Sequence, residues 1–406
     1  MKVLLAHNFY GSSAPSGENR VFLSEKELLA SHGHSIIEFT RQSDEIRERG
    51  FIGELQGALA TPWNPFAARK IRQLLKTEKP DILHVHNTFP LLSPAVFHAS
   101  KGTKTATVLT LHNYRIFCAA AIPMRNSKVC TECLDTQSVV PALKYGCYRR
   151  SYLATIPLAL MISLHRRVGT WSEYVDAFIA LTEFQREALA EAGLPREKTY
   201  VKPHFYADPP NPLPWEEREE KIVYIGRLGV EKGIHVLVNA WKRWKNGAPE
   251  LEIIGDGQMR EDIERIAGRP SESPIRITGQ LPFDETQRRL AKAKLLVLPS
   301  LCFEGFPMVI REAFALGVPV AASRLGPIPS IISEGKNGIL FEPGNAEDIQ
   351  RRIKDLWGQQ GSLSFMGESA RAEFERKYTP DVNYQSLVEI YHRAIECRRE
   401  KNKKIG

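Results

Sequence analysis

One stretch decides the predicted fold: PSLCFEGFPMVIRE, residues 299–312. It follows the apolar run Leu295 to Leu298, which has the length of a buried strand, and it leads into an apparent helix from Val309 to Leu316. A glycine in such a loop lets backbone amides approach a ligand, and a helix N-terminus favours an anion. Glu304 and Glu312 can accept hydrogen bonds from sugar hydroxyls. The stretch indicates a site for a phosphorylated sugar at the mouth of a parallel sheet, although two solvated glutamates on an ordinary strand–loop–helix unit have the same spacing.

The length and composition indicate a globular chain with two domains. A chain of 406 residues is too long for one ordinary core, and its 43% hydrophobic and 25% charged residues are typical of folded domains. No apolar run approaches the roughly 20 residues that a membrane-spanning helix needs. The apolar start of the chain ends at His7, which is too early for a signal sequence. We therefore expect a cytoplasmic protein.

The net charge of +8 and the isoelectric point near 9.1 favour an anionic partner. Nucleic acid is not supported, because the sequence has no helix-turn-helix pattern, no zinc-finger spacing and no aromatic-basic platform. Nucleotide phosphates, a lipid pyrophosphate and an anionic membrane surface each explain the charge equally well.

Polar residues follow several predicted strands in the first half of the chain. Gly17 lies in the first strand-to-helix turn, although the turn lacks the G-x-G-x-x-G pattern. His84 and His86 end one strand, and His112 follows the next strand together with Asn113 and Arg115. Ligands of doubly wound folds bind at the carboxyl ends of parallel strands, so this pattern predicts a binding site. Core histidines with satisfied ring nitrogens are the alternative for His84 and His112.

Four of the six cysteines lie in a turn-rich insert at positions 118–147, namely Cys118, Cys130, Cys133 and Cys147. A C-x2-C pair with two outlying cysteines is compatible with a closed structural zinc site, and incidental buried thiols are the alternative. The segment 149–167 that follows is apolar and bracketed by paired arginines. It suits either an interfacial helix that contacts lipid or a buried helix with solvated basic ends.

A Pro-rich linker at residues 208–218 divides the chain. The second half restarts with a strand and a loop that sets Arg227 and Lys232 five residues apart before a helix. This arrangement suits a diphosphate, because Arg can bind two oxygens at once and Lys adds a mobile charge, although a solvated basic loop has the same sequence. The loop Gly255-Asp256-Gly257 lacks the third glycine of the dinucleotide fingerprint, which weakens an NAD-binding interpretation.

The motifs of both halves together closely resemble the retaining glycosyltransferases of family 4, which have the GT-B fold. The resemblance covers nearly the whole chain and rests on Gly226-Arg227-Leu228, Glu231-Lys232-Gly233, Gly255-Asp256-Gly257 and Glu304-x7-Glu312, with Gly17, His84 to Asn87 and His112 in the first half. It implies an α/β protein with two Rossmann-like, doubly wound domains facing across a cleft. The expected parts are an acceptor domain (1–207), the linker (208–218), a sugar-nucleotide domain (219–380) and a C-terminal helix (381–406) that packs back on the first domain. This helix ends in a basic tail, and such tails are more often disordered than functional.

The resemblance also implies a role for each matching residue. Arg227 and Lys232 would clamp the donor diphosphate, Glu312 would hold the ribose and Glu304 would bind sugar hydroxyls. Gly17 would lie under the diphosphate, and His112 would sit beside the transferred sugar. The remaining donor contacts would come from the backbone of Gly226, Gly255, Gly305, Phe306, Pro307, Met308 and Val309.

The implied activity is sugar transfer from a nucleotide-diphosphate sugar to a lipid-linked or polysaccharide acceptor in envelope or capsule assembly. The resemblance favours front-side attack, and no Asp-x-Asp occurs in the chain, so we expect no catalytic metal. Two other functions remain open at this stage. One is an NAD-dependent oxidoreductase or sugar-nucleotide epimerase, and the other is a non-catalytic, membrane-associated binding module suggested by residues 149–167.

Overall fold

The computed structural model describes residues 1–11, 16–244, 247–268 and 274–405. The chain divides into two compact units: the first contains residues 1–123, 131–204 and 383–406, and the second contains residues 124–130 and 205–382. The sequence places the whole insert 118–147 in the first domain, whereas residues 124–130 group with the second.

Strands over the described residues alternate with helices in both units. The strands are β1 (Lys2–Phe9), β2 (Ser35–Gln42), β3 (Ile82–Asn87), β4 (Ala106–Thr110), β5 (Met124–Arg125), β6 (Lys128–Val129), β7 (Ala177–Ala180), β8 (Thr199–Val201), β9 (Lys221–Ile225), β10 (Glu250–Ile254), β11 (Ile275–Gly279), β12 (Leu295–Leu298), β13 (Val320–Ser323) and β14 (Gly338–Phe341).

The α-helices are mostly short, with four longer ones: α1, α7, α15 and α16. Their bounds are α1 (Gly17–Ser31), α2 (Asp44–Glu48), α3 (Gly50–Ala60), α4 (Pro65–Glu78), α5 (Glu132–Asp135), α6 (Val140–Tyr145), α7 (Tyr152–Arg167), α8 (Glu183–Glu191), α9 (Ile234–Arg243), α10 (Arg260–Ala267), α11 (Phe283–Ala291), α12 (Met308–Ala315), α13 (Ile328–Ile331), α14 (Ala346–Trp357), α15 (Gln360–Lys377) and α16 (Pro380–Ile405). None of these helices combines the length and the apolar content needed to cross a bilayer.

The first domain is built on a parallel sheet of six strands in the order β2-β1-β3-β4-β7-β8. Strands such as β7, with the sequence Ala-Phe-Ile-Ala, are buried on both faces, which explains their continuous apolar sequence. The strand order reverses between β1 and β3, and ligands of doubly wound folds bind at this point. Helix α16 contributes Leu387, Ile390, Tyr391 and Ala394 to the core beneath this sheet.

The basic C-terminal residues are ordered through Lys401, contrary to the expectation of a disordered tail. Arg398 is buried and donates from Nε to Oδ2 of Asp176 at 2.9 Å, and Lys401 lies 2.7 Å from Oδ1 of the same carboxylate. One buried aspartate therefore fixes the last turns of α16, and these basic residues have a structural role.

The second domain is built on another parallel sheet of six strands, in the order β11-β10-β9-β12-β13-β14. This order reverses between β9 and β12. Its core includes Trp241, Trp244 and Phe341, and Met124 of the small antiparallel ribbon β5-β6 packs against it. Arg218, at the end of the predicted linker, is buried and donates to the carbonyl oxygens of Leu316 and Gly317, so it belongs to this domain.

Candidate active site

The basic loop of the second domain lies where the strand order of its sheet reverses. Strand β9 leads into the loop that carries Arg227 and Lys232, and β12, which pairs with β9, leads into the loop that carries Glu304. Because ligands of doubly wound sheets bind outside the carboxyl ends of the strands at such a reversal, these loops form the expected binding edge. Two motifs that lie 72 residues apart in sequence are thus brought into direct contact.

The loop after β9 approaches the loops after β10 and β12 so closely that only glycine fits at the two contact points. Gly255 has a φ of +149°, and a Cβ there would lie 1.9 Å from the carbonyl oxygen of Gly226. Gly233 has a φ of +67°, and a Cβ there would lie 1.9 Å from the carbonyl oxygen of Pro299. Both glycines are required by backbone packing, in addition to any role they have toward a ligand.

Lys232 and Glu304 form a bidentate ion pair. Nζ of Lys232 lies 2.8 and 2.9 Å from the two carboxylate oxygens, and the Ser300 hydroxyl donates to the same carboxylate at 2.6 Å. Burial alone would raise the pKa of Glu304, but the Lys232 ammonium and these hydrogen bonds outweigh it and lower the pKa below its usual value. Burial would lower the pKa of Lys232, yet the Glu304 carboxylate raises it overall. Both side chains are therefore charged near neutral pH.

Arg227 is the more exposed basic residue, with 62% of its side chain accessible. Its Nε lies 3.0 Å from Oε1 of Glu231, four residues along the chain. An exposed pair of this spacing contributes only about 0.3–0.5 kcal/mol, whereas hydrogen bonds to a charged group contribute about 1.5–3 kcal/mol. The exposed guanidinium is therefore accessible to a phosphate, although Glu231, whose side chain is only 15% exposed, would then lose this partner.

Glu312 lies inside α12 in an environment unlike that of Glu304. It is buried, and Nε2 of Gln287 donates to its Oε2 at 3.2 Å. Gly305, Phe306 and Pro307 form the loop before α12, and Met308 and Val309 form its first turn. The backbone amides of that first turn have no partner within the helix and are suited to an anion or a hydroxyl.

The first domain contains a buried row of charged and ring side chains beside β1, β3 and β4. Nζ of Lys202 lies 2.8 Å from Oε2 of Glu25, and Nε2 of His86 lies 3.3 Å from Oε1 of the same carboxylate. Nδ1 of His86 then lies 3.2 Å from Nε2 of His112, and the ring of His204 stacks on His112. Burial would raise the pKa of Glu25, but Lys202 and the two neighbouring imidazoles outweigh it and hold the pKa well below its usual range.

The contacts of this row favour one proton arrangement for His86 and His112. A carboxylate only accepts hydrogen bonds, so the favoured tautomer of His86 carries its proton on Nε2, 3.3 Å from Glu25 although without hydrogen-bond geometry, and presents Nδ1 as an acceptor. His112 then donates from Nε2 to His86, and its Nδ1 carries a lone pair. That Nδ1 is buried with no hydrogen-bond partner among the described residues. Because burial and the adjacent imidazoles of His204 and His86 hold the pKa of His112 well below its usual range, the ring is neutral and can accept a hydrogen bond.

Gly17 is the first residue of α1, and Ser16 caps that helix by accepting a hydrogen bond from the Asn19 amide. The next residue, Glu18, accepts a hydrogen bond from Nδ2 of Asn113 at 2.9 Å. The N-terminus of α1 therefore lies against the loop that carries His112. The structure brings the predicted residues of the first half together at one edge of the sheet.

His84 is a core residue and not a ligand-binding one. Its Nδ1 lies 2.8 Å from the Tyr391 hydroxyl, and its Nε2 lies 2.8 Å from Oγ1 of Thr110. Among the described residues, Glu25, His84 and His86 are the group whose ligand atoms lie within 4.8 Å of one another. They do not suit a metal ion, because both nitrogens of His84 are already bonded and the Lys202 ammonium supplies the positive charge that Glu25 requires.

The four cysteines do not form the predicted zinc site in this structure. Among the described residues, no three of their sulfurs lie within 4.8 Å of one another, and none of the four cysteines is in a disulfide. Burial raises the pKa of Cys118 to about 12, and the neighbouring Cys133 and Cys147 thiols add to this shift. Cys133 and Cys147 instead belong to a small apolar cluster with Leu158, so this part of the insert has a core of its own.

Three residues of the first-domain row went unrecognised in the sequence: Glu25, Lys202 and His204. Lys202 and His204 directly follow β8, and polar residues after a parallel strand are the same signal that identified His112. Glu25 lies in the buried face of α1 among Val21, Phe22 and Leu28, where a lone carboxylate requires a cationic partner.

The two parallel six-stranded sheets have the architecture of the GT-B fold. Residues 15–206 match the family model described as Glycosyltransferase Family 4, and residues 219–359 match the model described as Glycosyl transferases group 1. The chain belongs to this family of glycosyltransferases.

Individual relatives agree with the family match. The chain is 35% identical over 191 residues to a sulfoquinovosyl transferase of Arabidopsis thaliana, covering 46% of this chain and 36% of the relative. It is 21% identical over 414 residues to an O-antigen chain mannosyltransferase of Escherichia coli, covering 98% of this chain and 100% of the relative. In the first matches the chain spans 36% to 50% of the relatives' length.

A solved structure of Anabaena HepE in complex with UDP and glucose has the same fold. Its TM-score to this chain is 0.64 at 17% identity, with 96% of this chain and 98% of the other covered. At this identity the likeness establishes the fold alone.

Proposed function

We propose that the protein transfers a sugar from a nucleoside-diphosphate sugar to an acceptor hydroxyl with retention of configuration. The observation that carries this proposal is the contact between Lys232 and Glu304 at the strand reversal of the second domain, beside the exposed guanidinium of Arg227. Two cations and a carboxylate that can accept hydrogen bonds from hydroxyls lie at this edge, which suits the two chemical parts of a sugar diphosphate.

In the proposed reaction, the bond between the anomeric carbon and the diphosphate oxygen breaks on the face where the acceptor oxygen attacks. The electron pair of the broken bond stays on the diphosphate, and the acceptor proton passes to a phosphate oxygen. Arg227 and Lys232 stabilise the negative charge that develops on the leaving group. Glu304 is ionised and positions sugar hydroxyls as a hydrogen-bond acceptor, and no protein nucleophile is required.

The other site residues take binding roles in this proposal. Glu312 holds the ribose, and the backbone of residues 305–309 contacts sugar and phosphate. His112 accepts a hydrogen bond from a hydroxyl of the transferred sugar through Nδ1, and Gly17 lies beneath the diphosphate. Gly226 and Gly255 allow the loops to close around the nucleotide.

The acceptor in this proposal is a lipid-linked or polysaccharide glycan of envelope polysaccharide assembly. Support comes from the relatives, which include the O-antigen chain mannosyltransferase. We further propose that transfer needs no divalent metal, since the chain contains no Asp-x-Asp.

A panel of nucleoside-diphosphate sugars tests the donor. A ligand at 100 times its Kd adds about 2.7 kcal/mol of stability, so the correct donor is expected to raise the melting temperature clearly. Arg227→Ala is expected to lose this stabilisation. The matched control is Arg265→Ala, which removes another exposed arginine of the same domain. Arg265 pairs with Asp262 within its own helix, and this variant is expected to be stabilised by the donor like the wild type. If no donor stabilises the folded wild-type protein, the transferase proposal is wrong.

The identified donor and a lipid extract as acceptor then test the reaction itself. Proton NMR of the fresh product is expected to show the donor's anomeric configuration, and an inverted product would refute the front-side mechanism. Activity is expected to persist in EDTA; loss of activity that Mg²⁺ restores would refute the metal-free proposal.

A further inference from the structure

Two helices of the first domain expose strongly apolar faces. On α3 the exposed residues are Phe51, Ile52, Leu55 and Leu59, and on α7 they are Tyr152, Leu153, Ile156 and Leu160. Their side chains are between 42% and 80% exposed. Each set has the spacing i, i+1, i+4, i+8, which at about 3.6 residues per turn confines it to one face of about 100°. Both helices therefore present an apolar stripe outward.

The packing of the opposite faces fixes these stripes in their outward orientation. A Cβ at Gly53 of α3 would lie 2.1 Å from the carbonyl oxygen of Ile46, and one at Gly57 would lie 2.8 Å from Cδ1 of Ile46. The inner face of α7 contributes Leu158, Met161 and Ile162 to a buried cluster. Because each helix already has a close-fitting inner face, neither stripe can turn inward without breaking existing contacts.

The two helices flank one groove, and Leu153 of the α7 stripe lines it. Helices α3 and α7 line the same groove of about 620 Å³, with Glu54 and Ala58 on one side and Leu153 and Pro157 on the other. The groove continues between them to Arg115. We call the two stripes and the rim of this groove the apolar surface.

Basic residues outnumber acidic ones around the apolar surface. The exposed basic residues near the ends of its helices are Arg47, Arg49, Lys144, Arg149 and Arg150. The exposed acidic residues are Glu48 and Glu54. An apolar stripe with a basic margin is the arrangement of helices that lie in the headgroup region of anionic membranes.

We propose that the apolar surface docks on a bilayer that carries anionic lipids. The apolar side chains of α3 and α7 enter the boundary between headgroups and acyl chains, and the arginines contact the lipid phosphates. A second copy of the chain would also cover the apolar stripes. A symmetric dimer, however, joins the same patch of both copies and would bring the two sets of arginines together, so charge complementarity favours the membrane.

Vesicle flotation of the full-length protein tests the proposal. The vesicles contain phosphatidylcholine alone or phosphatidylcholine with about 30% phosphatidylglycerol, since anionic lipid supplies the attraction. The wild-type protein is expected to bind the anionic vesicles at least tenfold more tightly. Added salt is expected to weaken binding only in part, because screening acts on the charges and not on the apolar contact.

Two double variants separate the apolar and the basic contributions. Leu55→Glu with Leu153→Glu is expected to lower binding at least tenfold, and Arg149→Glu with Arg150→Glu is expected to remove the preference for anionic vesicles. Phe365→Glu, at a 57% exposed position on α15 of the second domain, is the matched control and is expected to bind like the wild type. Circular dichroism and urea unfolding confirm that each variant is folded.

Three results would overturn the proposal. The first is equal binding of folded wild-type protein to both vesicle types, or no binding to either. The second is wild-type binding by both double variants. The third is a dimer in sedimentation that Leu55→Glu with Leu153→Glu dissociates, because a second copy would then be the occupant. None of these results depends on sugar transfer, so they leave the proposed function to its own tests.

Discussion

Replacing Lys232 by methionine tests the second-domain site through stability and through activity. The change removes the ammonium that lies 2.8 and 2.9 Å from the Glu304 carboxylate and keeps most of the apolar stem. Glu304 is then left with the Ser300 hydroxyl as its remaining hydrogen-bond donor in this group. Stability and transfer should both fall, for different reasons.

The loss of stability follows from how far the pair is buried. Breaking a fully buried ion pair costs about 3–5 kcal/mol, whereas an exposed pair contributes about 0.2–1 kcal/mol. The side chains of Lys232 and Glu304 are 24% and 11% exposed, which lies closer to the buried case. We therefore expect Lys232→Met to lower the free energy of unfolding of the second domain by about 2–3 kcal/mol at pH 7.

The pH dependence of this loss has a definite sign. In the wild type, the folded pKa of Glu304 lies below its unfolded value of about 4.3, so the ion pair stabilises fully above that pH and its contribution disappears as the pH falls through the folded pKa. In Lys232→Met, burial dominates and raises the pKa, so folding favours the protonated acid. The variant's deficit should therefore be largest at pH 7 and shrink as the pH falls toward 4.

Urea unfolding at several pH values, followed in parallel with transfer assays, separates the two effects. Adding Glu304→Gln to Lys232→Met removes the unpaired charge, so the double variant should regain most of the lost stability while transfer stays about 10²–10³-fold below the wild type. Wild-type stability in Lys232→Met at pH 7 would refute the ion-pair reasoning. Restored transfer in the double variant would refute the role of Lys232 at the diphosphate.

Two further predictions test the backbone and the histidine row. Gly255→Ala should lower the free energy of unfolding by more than about 3 kcal/mol, because its Cβ would meet the Gly226 carbonyl. Gly335 has a φ of +75° and open space around it, so the control Gly335→Ala should lower the free energy of unfolding by only about 1–2 kcal/mol. Equal losses in denaturant titrations would contradict the close approach at Gly255. His86→Asn should lower kcat about tenfold or more with little change in the donor KM, because His112 loses the partner that fixes its tautomer. The ¹⁵N shifts of His112 report that tautomer, and unchanged shifts would show that His86 does not set it.

The position of the basic loop and of Glu304 at one edge of the second sheet could be predicted from the sequence, because the order of strands along the chain determines which loops share an edge of a parallel sheet. Arg227, Lys232 and Glu304 each lie just after a strand, and carboxyl ends of parallel strands share one edge. The buried row of charged and ring side chains in the first domain could not be predicted in this way. Glu25 meets Lys202 from 177 residues away, and a buried carboxylate in a helix gives no indication of which lysine will pair with it.

The cysteine insert and the apolar segments show a second limit. The spacing of Cys118, Cys130, Cys133 and Cys147 is compatible with a zinc site, but spacing along the chain does not determine how closely the sulfurs approach, and among the described residues no three of them lie within 4.8 Å of one another. The sequence also left α7 as either buried or interfacial, and it gave no reason to single out α3. Whether a helix face is exposed depends on which side of the helix is already packed. For α3, the packed side is the one on which Gly53 and Gly57 contact Ile46, and the sequence gives no sign of this contact.

The environments of Glu304 and Glu312 argue against an acid and base pair at the reacting bond. A general acid near neutral pH needs a raised pKa, and the Lys232 ammonium lowers that of Glu304. Glu304 therefore remains a carboxylate that only accepts hydrogen bonds, which suits sugar hydroxyls and excludes proton donation to a leaving group. Glu312 lies within α12 and accepts a hydrogen bond from the side-chain amide of Gln287. In the proposed reaction the acceptor proton consequently goes to the departing phosphate, whose charge Arg227 and Lys232 are placed to stabilise.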